Sequence, residues 1–217
     1  MAPHYRQVAS IELDPVRVSV SPVRRFPQLL LGLALYGASM AMMTRAGLGL
    51  DPWDVLHDGL TRRTGLTFGT VVAIASAGVL LLWIPLRQRP GIGTVLNVVV
   101  ISVTVDLVRA VLPPQHSLWS QIPLLAGGIV LNGLATAAYV GTRLGPGPRD
   151  GLMTGLSART GLSVRLTRTG LEVAVLVAGW LLGGSVGVGT VLYAAAIGPL
   201  TQAFLPFVVW RHPAMKS

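Results

Sequence analysis

Long runs of apolar, uncharged residues alternate along the chain with short segments that carry most of its arginines. A helix needs about 20 predominantly apolar residues to cross the hydrocarbon core of a bilayer. The last run, residues 173–210, carries no charge and is too long for one helix, and Gly183 and Gly184 interrupt it. The pattern therefore predicts six membrane-spanning helices, at residues 26–44, 64–86, 91–112, 121–140, 166–182 and 186–209.

The composition excludes a soluble domain and several classes of function. Hydrophobic residues make up 52% of the chain and charged residues only 12%, whereas soluble domains carry about 25% charged residues. The arginines behind the net charge of +9 separate the apolar runs and form no patch for nucleic acid. There is no cysteine, the four histidines are scattered, and no catalytic constellation is recognisable. We expect an all-α polytopic membrane protein that is not an enzyme and has no cofactor or metal site.

The basic residues predict the orientation in the membrane. With both termini in the cytoplasm, thirteen of the seventeen basic residues lie on the cytoplasmic side, as the positive-inside rule requires. Residues 1–25 and 211–217 then form cytoplasmic tails, the first of them disordered, and Trp83 and Trp210 are expected at the inner interface as aromatic anchors. The cytoplasmic basic residues are Arg6, Arg17, Arg24, Arg25, Arg87, Arg89, Arg143, Arg149, Arg159, Arg165, Arg168, Arg211 and Lys216.

The chain contains an internal duplication at an offset of 96 residues. Residues 48–66 align without a gap on residues 144–162, and eleven of the nineteen positions are identical. The motif Gly-x-Gly-Thr recurs at the same offset, beginning at Gly91 and at Gly187. Each copy holds three predicted spans, and an odd number of spans forces the second copy to enter the membrane upside down. We therefore expect two inverted three-helix repeats, residues 26–112 and 113–210.

Each repeat is predicted to carry a short additional helix after its first span. Pro52 and Pro148 suit a first helical turn, and Asp54 and Asp150 follow two residues later near the positive end of the helix dipole. The amphipathic pattern favours an interfacial or a re-entrant helix over a full span. The two carboxylates either cap these helices or form a small polar mouth at the membrane. His57 either titrates near neutral pH or is a packing residue.

Polar residues inside the spans are the remaining candidates for function. The duplication pairs Tyr36 with Asn132 and Asn97 with Tyr193, and these side chains either hold helices together or line a wet cavity. The acids Asp106 and Glu172 each have an arginine three or four residues away, so we expect each to be neutralised within its own helix. The candidate solute-binding residues are Asp54, Asp150, Trp53, His57, Tyr36, Asn97, Asn132 and Tyr193.

A resemblance to a known family supports this class. The run Gly-Leu-Gly-x-x-Pro-Trp-Asp-Val-Leu-His-x-Gly-Leu at residues 47–60 and the Gly-x-Gly-Thr motif at residues 91–94 resemble the bacterial YczE branch of the YczE/YyaS/YitT-like integral membrane proteins. The likeness covers residues 32–204. It implies a multi-pass protein of the bacterial plasma membrane, for which transport is the usual expectation. The second copy carries Arg149 and Met153 where the first has tryptophan and histidine.

The sequence thus predicts a permease for an unidentified small solute, which works by alternating access at the repeat interface. The alternative is a non-transporting membrane accessory or scaffold protein, in which the glycines and the duplicated helices serve packing alone. A polar cavity bounded by the paired tyrosines and asparagines would favour transport, and a dry apolar seam would favour a scaffold. The expected partners are the lipid bilayer and a small solute, and a homo-oligomer is compatible with the sequence.

Overall fold

The computed structural model describes residues 15–210, and that part of the chain is helical without strands. The parts of the predicted tails at residues 1–14 and 211–217 lie outside the described residues. The sequence predicted six spans and two short helices, and the structure has eight helices over residues 15–210. They are α1 (Pro22–Ala46), α2 (Pro52–Thr64), α3 (Phe68–Leu86), α4 (Ile92–Val111), α5 (Leu118–Gly141), α6 (Pro148–Thr160), α7 (Val164–Leu181) and α8 (Val188–Val208).

The helix boundaries repeat at the offset of the sequence duplication. The first residues of α1 and α5, of α2 and α6, of α3 and α7, and of α4 and α8 are each 96 positions apart. The short helices begin with Pro52 and Pro148, as predicted. Each ends at a glycine in the left-handed conformation, Gly65 (φ 72°) or Gly161 (φ 73°), where a side chain would be strained. The two copies of the motif therefore fold into the same local structure.

Five of the described helices, α1, α3, α4, α5 and α8, are long and apolar enough to cross a membrane. This agrees with a multi-pass membrane protein. The remaining predicted span, at residues 166–182, coincides with α7, which has only 18 residues. Arg165, Arg168 and Glu172 lie within α7, so its uncharged stretch is shorter than those of the other long helices. Its passage through the membrane stays a prediction.

The helices pack in a pattern that also repeats. α1 and α5 contact each other, α1 packs against α4, and α5 packs against α8. The short helices cross to the other half of the molecule, because α2 packs against α7 and α6 packs against α3. Each repeat therefore completes the other, and neither buries its short helix alone.

The duplicated Gly-x-Gly-Thr motifs form the same crossed contact at the start of α4 and α8. The Gly93 N–H donates to the Leu144 carbonyl at 3.2 Å, and the Gly189 N–H donates to the Leu48 carbonyl at 2.8 Å. A Cβ atom on Gly187 would lie 2.4 Å from the Leu48 carbonyl oxygen. Only glycine allows the two backbones to approach this closely. Each motif thus holds the loop that precedes the short helix of the other repeat.

The chain is ordered further toward its N-terminus than the predicted boundary at residue 26. α1 begins at Pro22, and the Arg25 side chain is fully buried. Its guanidinium donates to the carbonyls of Thr142 and Arg143 at 2.8 and 3.0 Å and stacks on the Trp210 ring at 4.9 Å. Arg25 therefore ties the start of α1 to the end of α5 and to the segment after α8.

Two sequence-based interpretations are wrong. Trp83 is no interfacial anchor, since it is only 2% exposed and donates from Nε1 to the Pro148 carbonyl at 3.0 Å. Asp106 does not pair with Arg109 among the described residues, because it accepts a hydrogen bond from the Gly69 N–H at 2.7 Å and thereby caps α3 from α4. The ion pair expected within α7 is confirmed, with 2.8 Å between Arg168 Nε and Glu172 Oε1.

Candidate solute site

Asp51 organises the start of α2. Its Oδ1 atom accepts hydrogen bonds from the backbone N–H groups of Trp53 and Asp54 at 2.9 and 3.0 Å. This is the N-cap arrangement, which satisfies donors that have no partner within the helix. The capping role considered for Asp54 therefore belongs to Asp51. At the equivalent position of α6, Gly147 provides no side-chain cap.

A buried charged cluster joins the two short helices. The His57 Nδ1 atom lies 3.1 Å from Asp54 Oδ1. Arg149, from the other repeat, places Nη1 3.6 Å from Asp51 Oδ1 and Nη2 3.5 Å from Asp54 Oδ1. Its guanidinium also stacks over the Trp53 ring at 5.1 Å. The second oxygens of both carboxylates are buried and have no hydrogen-bond partner among the described residues.

Burial shifts the protonation equilibria of this cluster, which lies outside the candidate spanning helices. Burial and the neighbouring Asp54 carboxylate raise the pKa of Asp51 from 3.8 to about 7, against the effect of Arg149. Burial likewise raises the pKa of Asp54 and lowers the pKa of His57 from 6.5 to about 3. Burial acts to lower the pKa of Arg149, but the surrounding carboxylates outweigh it and raise that pKa above its ordinary value. His57 is therefore neutral at pH 7, and Arg149 is charged.

A small cavity lies beside this cluster, against the first turn of α6. Its volume is about 70 Å³, and a water molecule in the liquid takes up about 30 Å³. We call it the inner cavity. Arg149, whose side chain is 24% exposed, is one of the residues that line it. The other polar residues around it are Tyr36, Ser76, Asn97, Tyr139 and Asp150, and its apolar side is formed by Met40, Val72 and Ile101.

A second, larger cavity of about 280 Å³ lies between α5, α6 and α7. Tyr139 and Asp150 line this outer cavity and the inner one. The Tyr139 hydroxyl donates to Asp150 Oδ2 at 2.9 Å. One hydrogen bond therefore stands at the boundary between the two cavities.

The four paired tyrosines and asparagines divide into two different arrangements. Tyr36 and Asn97 line the inner cavity. Their counterparts, Asn132 and Tyr193, are hydrogen-bonded to each other. The Tyr193 hydroxyl donates to Asn132 Oδ1 at 3.0 Å, and Asn132 Nδ2 donates to Ser39 at 2.8 Å. Asn132 is fully buried and Tyr193 is 8% exposed. One pair thus faces a cavity, and the other holds α1, α5 and α8 together.

The sequence interpretation missed three residues of this site. Arg149 was counted as a cytoplasmic charge and as the counterpart of Trp53, but not as a site residue, although it is the residue that links the repeats. Asp51 has Gly147 as its counterpart and Tyr139 has Met43, so the duplication pointed to neither. No group of three or more metal-ligating side chains occurs within residues 15–210.

Comparisons with known proteins agree with the membrane architecture. A family model described as a family of unknown function, DUF6198, matches residues 23–206. An uncharacterized protein of Haemophilus influenzae is 41% identical over 180 residues, which cover 83% of each chain. The uncharacterized membrane protein YczE of Bacillus subtilis is 36% identical over 174 residues, 79% of this chain and 80% of YczE.

A further relative in Bacillus subtilis, the uncharacterized protein YyaS, is 29% identical over 194 residues, 86% of this chain and 94% of YyaS. No solved structure matches the chain significantly. The resemblance to the YczE-like proteins is thereby confirmed, and so is a membrane location. The chain belongs to the DUF6198 family of YczE-like membrane proteins.

Proposed function

We propose that this protein is a permease that moves a small solute by alternating access between two inverted repeats. A half-polar cavity with a charged arginine, lined by residues of α1, α3, α4, α5 and α6, supports a solute pathway, because a charge in a buried site is costly unless it has a partner. Its position where the repeats meet is typical of repeat-built transporters.

The inverted arrangement rests on the repeat at 96 residues and on one contact. Trp53 and Arg149 are equivalent positions of the two copies, and their side chains touch. Two equivalent residues meet only close to the axis that relates the copies. α7 as a sixth span gives three spans to each repeat, and that odd number reverses the orientation of the second copy.

The observation that carries the proposal is an asymmetry between equivalent surfaces. Five of the residues that line the outer cavity are Thr136, Tyr139, Asp150, Met153 and Arg168. Their counterparts 96 positions earlier are all at most 3% exposed: Met40, Met43, Asp54, His57 and Val72. The surface at these five positions therefore faces the outer cavity in the second repeat and is buried in the first, where Met40 and Val72 line the inner cavity. The counterparts of Arg143 and Thr154, Gly47 and Asp58, are exposed and half-buried. If the repeats exchange these two conformations, the pathway closes on one side of the membrane and opens on the other.

The absence of native cysteine allows a direct test. In the proposed second state, the buried Met40 faces water as Thr136 does now. We expect Met40→Cys to react with a membrane-impermeant maleimide from outside the cell, and Thr136→Cys to react from the cytoplasm. Ala41→Cys is the matched control, because Ala41 and its counterpart Ala137 are both fully buried and are expected to stay protected in both states.

The scaffold alternative makes the opposite prediction. In a protein that does not alternate, Met40→Cys is protected from outside to the same extent as Ala41→Cys. That result would overturn the proposed mechanism. Reconstituted vesicles that exchange a solute only when they contain the protein would support transport independently.

A further inference from the structure

The inner cavity presents one positive and one negative side chain that are not paired with each other. Arg149 and Asp150 are neighbours in the first turn of α6, and both line the cavity. The ion pairs of Arg149 run to Asp51 and Asp54. Among the described residues, no basic side chain lies within ion-pair distance of Asp150, which accepts a hydrogen bond from Tyr139 and interacts electrostatically with Arg168 on the side of the outer cavity. The cavity therefore holds two charges of opposite sign that can each take a further partner.

Arg149 is poorly engaged by its present partners. Its two nitrogen–oxygen distances of 3.5 and 3.6 Å are much longer than the roughly 2.7–2.9 Å of a charge-assisted hydrogen bond. A guanidinium offers five N–H donors in a planar fork that matches a carboxylate. A carboxylate that enters the cavity can therefore form shorter bonds than those that Arg149 makes with Asp51 and Asp54.

Asp150 offers the complementary contact. Tyr139 engages its Oδ2 atom, and a carboxylate accepts several hydrogen bonds at once. An ammonium group carries three donors and no acceptor. Around it, Tyr36 and Asn97 supply further polar groups, and Met40 is among the apolar residues that limit the size of the hydrocarbon part.

We propose that the inner cavity binds a small zwitterion, with its carboxylate on Arg149 and its ammonium group on Asp150. This inference rests on the proposed permease function and names the class of its solute. A zwitterion fits better than a single ion, because it satisfies both charges and adds no net charge to a buried site. The volume of about 70 Å³ accommodates a solute of a few non-hydrogen atoms.

The test measures binding to the purified full-length protein in detergent, by calorimetry and by the shift of the thermal unfolding midpoint. The probes are glycine, acetate and methylamine, which carry both charges, only the negative one and only the positive one. We expect glycine to bind at least about tenfold more tightly than either single ion, because each charged hydrogen bond adds more than a factor of ten. Equal affinity for acetate or methylamine, or no affinity for glycine, would overturn the zwitterion site.

Matched variants separate the two contacts. In Asp150→Asn, glycine affinity should fall about tenfold or more while acetate affinity is unchanged. Arg149→Lys keeps the charge next to Asp51 and Asp54 and removes the planar fork, so glycine and acetate should both weaken while methylamine does not. Thr136→Val changes a residue that lines the outer cavity and not the inner one, and it should leave glycine binding intact. Loss of glycine binding in Thr136→Val, with Asp150→Asn unaffected, would place the solute in the outer cavity and refute this inference.

The experiments distinguish a failure of the zwitterion site from a failure of the alternating-access proposal, because the binding assay needs no membrane. If Met40→Cys is labelled from outside but glycine does not bind, only the zwitterion proposal is refuted. If glycine binds but Met40→Cys is protected, the zwitterion site stands and the transport cycle is refuted.

Discussion

At the scale of single residues, the chemistry of this protein depends on which carboxylate has which partner. Asp51 caps α2, Asp54 contacts His57 and Arg149, and Asp150 accepts from Tyr139. Three acids close in space thus have three different roles. The buried oxygens of Asp51 and Asp54 that lack hydrogen-bond partners cost free energy, and a bound proton relieves that cost.

The cap and the charge of Asp51 can be separated by two substitutions. Asparagine caps helices about as well as aspartate, and alanine does not. Both substitutions remove the charge, so their difference reports the two hydrogen bonds to Trp53 and Asp54. We expect Asp51→Ala to have a free energy of unfolding about 1 kcal/mol lower than that of Asp51→Asn, measured by denaturation in detergent at pH 7. Equal stabilities would show that the cap contributes nothing.

The pKa shifts predict opposing pH effects on the stability of the native protein. The folded state raises the pKa of Asp51 from 3.8 to about 7 and so binds more protons than the unfolded state between these values, and stability falls as the pH rises. It lowers the pKa of His57 from 6.5 to about 3, and stability rises as the pH rises between these values. The raised pKa of Asp54 acts in the same direction as that of Asp51.

Removing Asp51 or His57 should therefore reveal the pH dependence of stability that the remaining group causes. From pH 3.8 to 6.5, we expect the thermal unfolding midpoint of His57→Gln to fall relative to the native protein as the pH increases. The midpoint of Asp51→Asn should rise relative to the native protein over the same range. Parallel curves for the three proteins would contradict these pKa shifts.

At the scale of helices, close contact between backbones fixes the short helices in place. α2 lies against α7 where a Cβ atom on Gly179 would be 2.4 Å from the Leu56 nitrogen. α6 lies against α3 where a Cβ atom on Gly151 would be 2.0 Å from the Trp83 ring. Small residues let membrane helices approach in this way. The two contacts occupy equivalent places in the crossed packing. Both glycines lie in the second repeat, one in α6 and one in α7.

Two glycines of α7 provide a matched test of this packing. Gly179 touches the α2 backbone, whereas a Cβ atom on Gly170 would have no heavy atom within 4 Å. We expect Gly179→Ala to lower the free energy of unfolding by about 1–3 kcal/mol, because the added methyl group overpacks a rigid contact. Gly170→Ala should be neutral or slightly stabilising, since alanine is the better helix former. Equal effects on thermal unfolding would show that α2 does not need this close approach.

The sequence predicts the helices much better than their partners. The duplication, the prolines and the apolar periodicity are local signals, so they define the short helices and the offset of 96 residues. Arg149 meets Asp51 and Asp54 through the crossed packing of α2 and α6, which no local pattern indicates. Trp83 is misinterpreted for the same reason, because α6 from the other repeat covers it. Charge counts likewise treat every arginine alike, whether it is buried or solvated.

At the scale of the whole molecule, two similar repeats have unequal interiors. Tyr139 bonds to Asp150 between two cavities, whereas the counterparts Met43 and Asp54 are fully buried. A second difference has the opposite direction, since Tyr36 and Asn97 of the first repeat line a cavity while their counterparts Asn132 and Tyr193 are hydrogen-bonded to each other. Repeats of one fold have access to both conformations, so the difference between them describes a movement that the fold can make.

The inverted arrangement requires that α2 and α6 lie at opposite faces of the membrane. Thr64 and Thr160 end these helices at equivalent positions, and both are exposed. Because the chain has no cysteine, Thr64→Cys and Thr160→Cys each carry a single thiol. In intact cells, we expect an impermeant maleimide to label Thr64→Cys, and to label Thr160→Cys only after the cells are opened. Labelling of both from the same side would mean that the repeats are parallel, that α7 does not span the membrane and that the proposed exchange of conformations cannot move a solute across it.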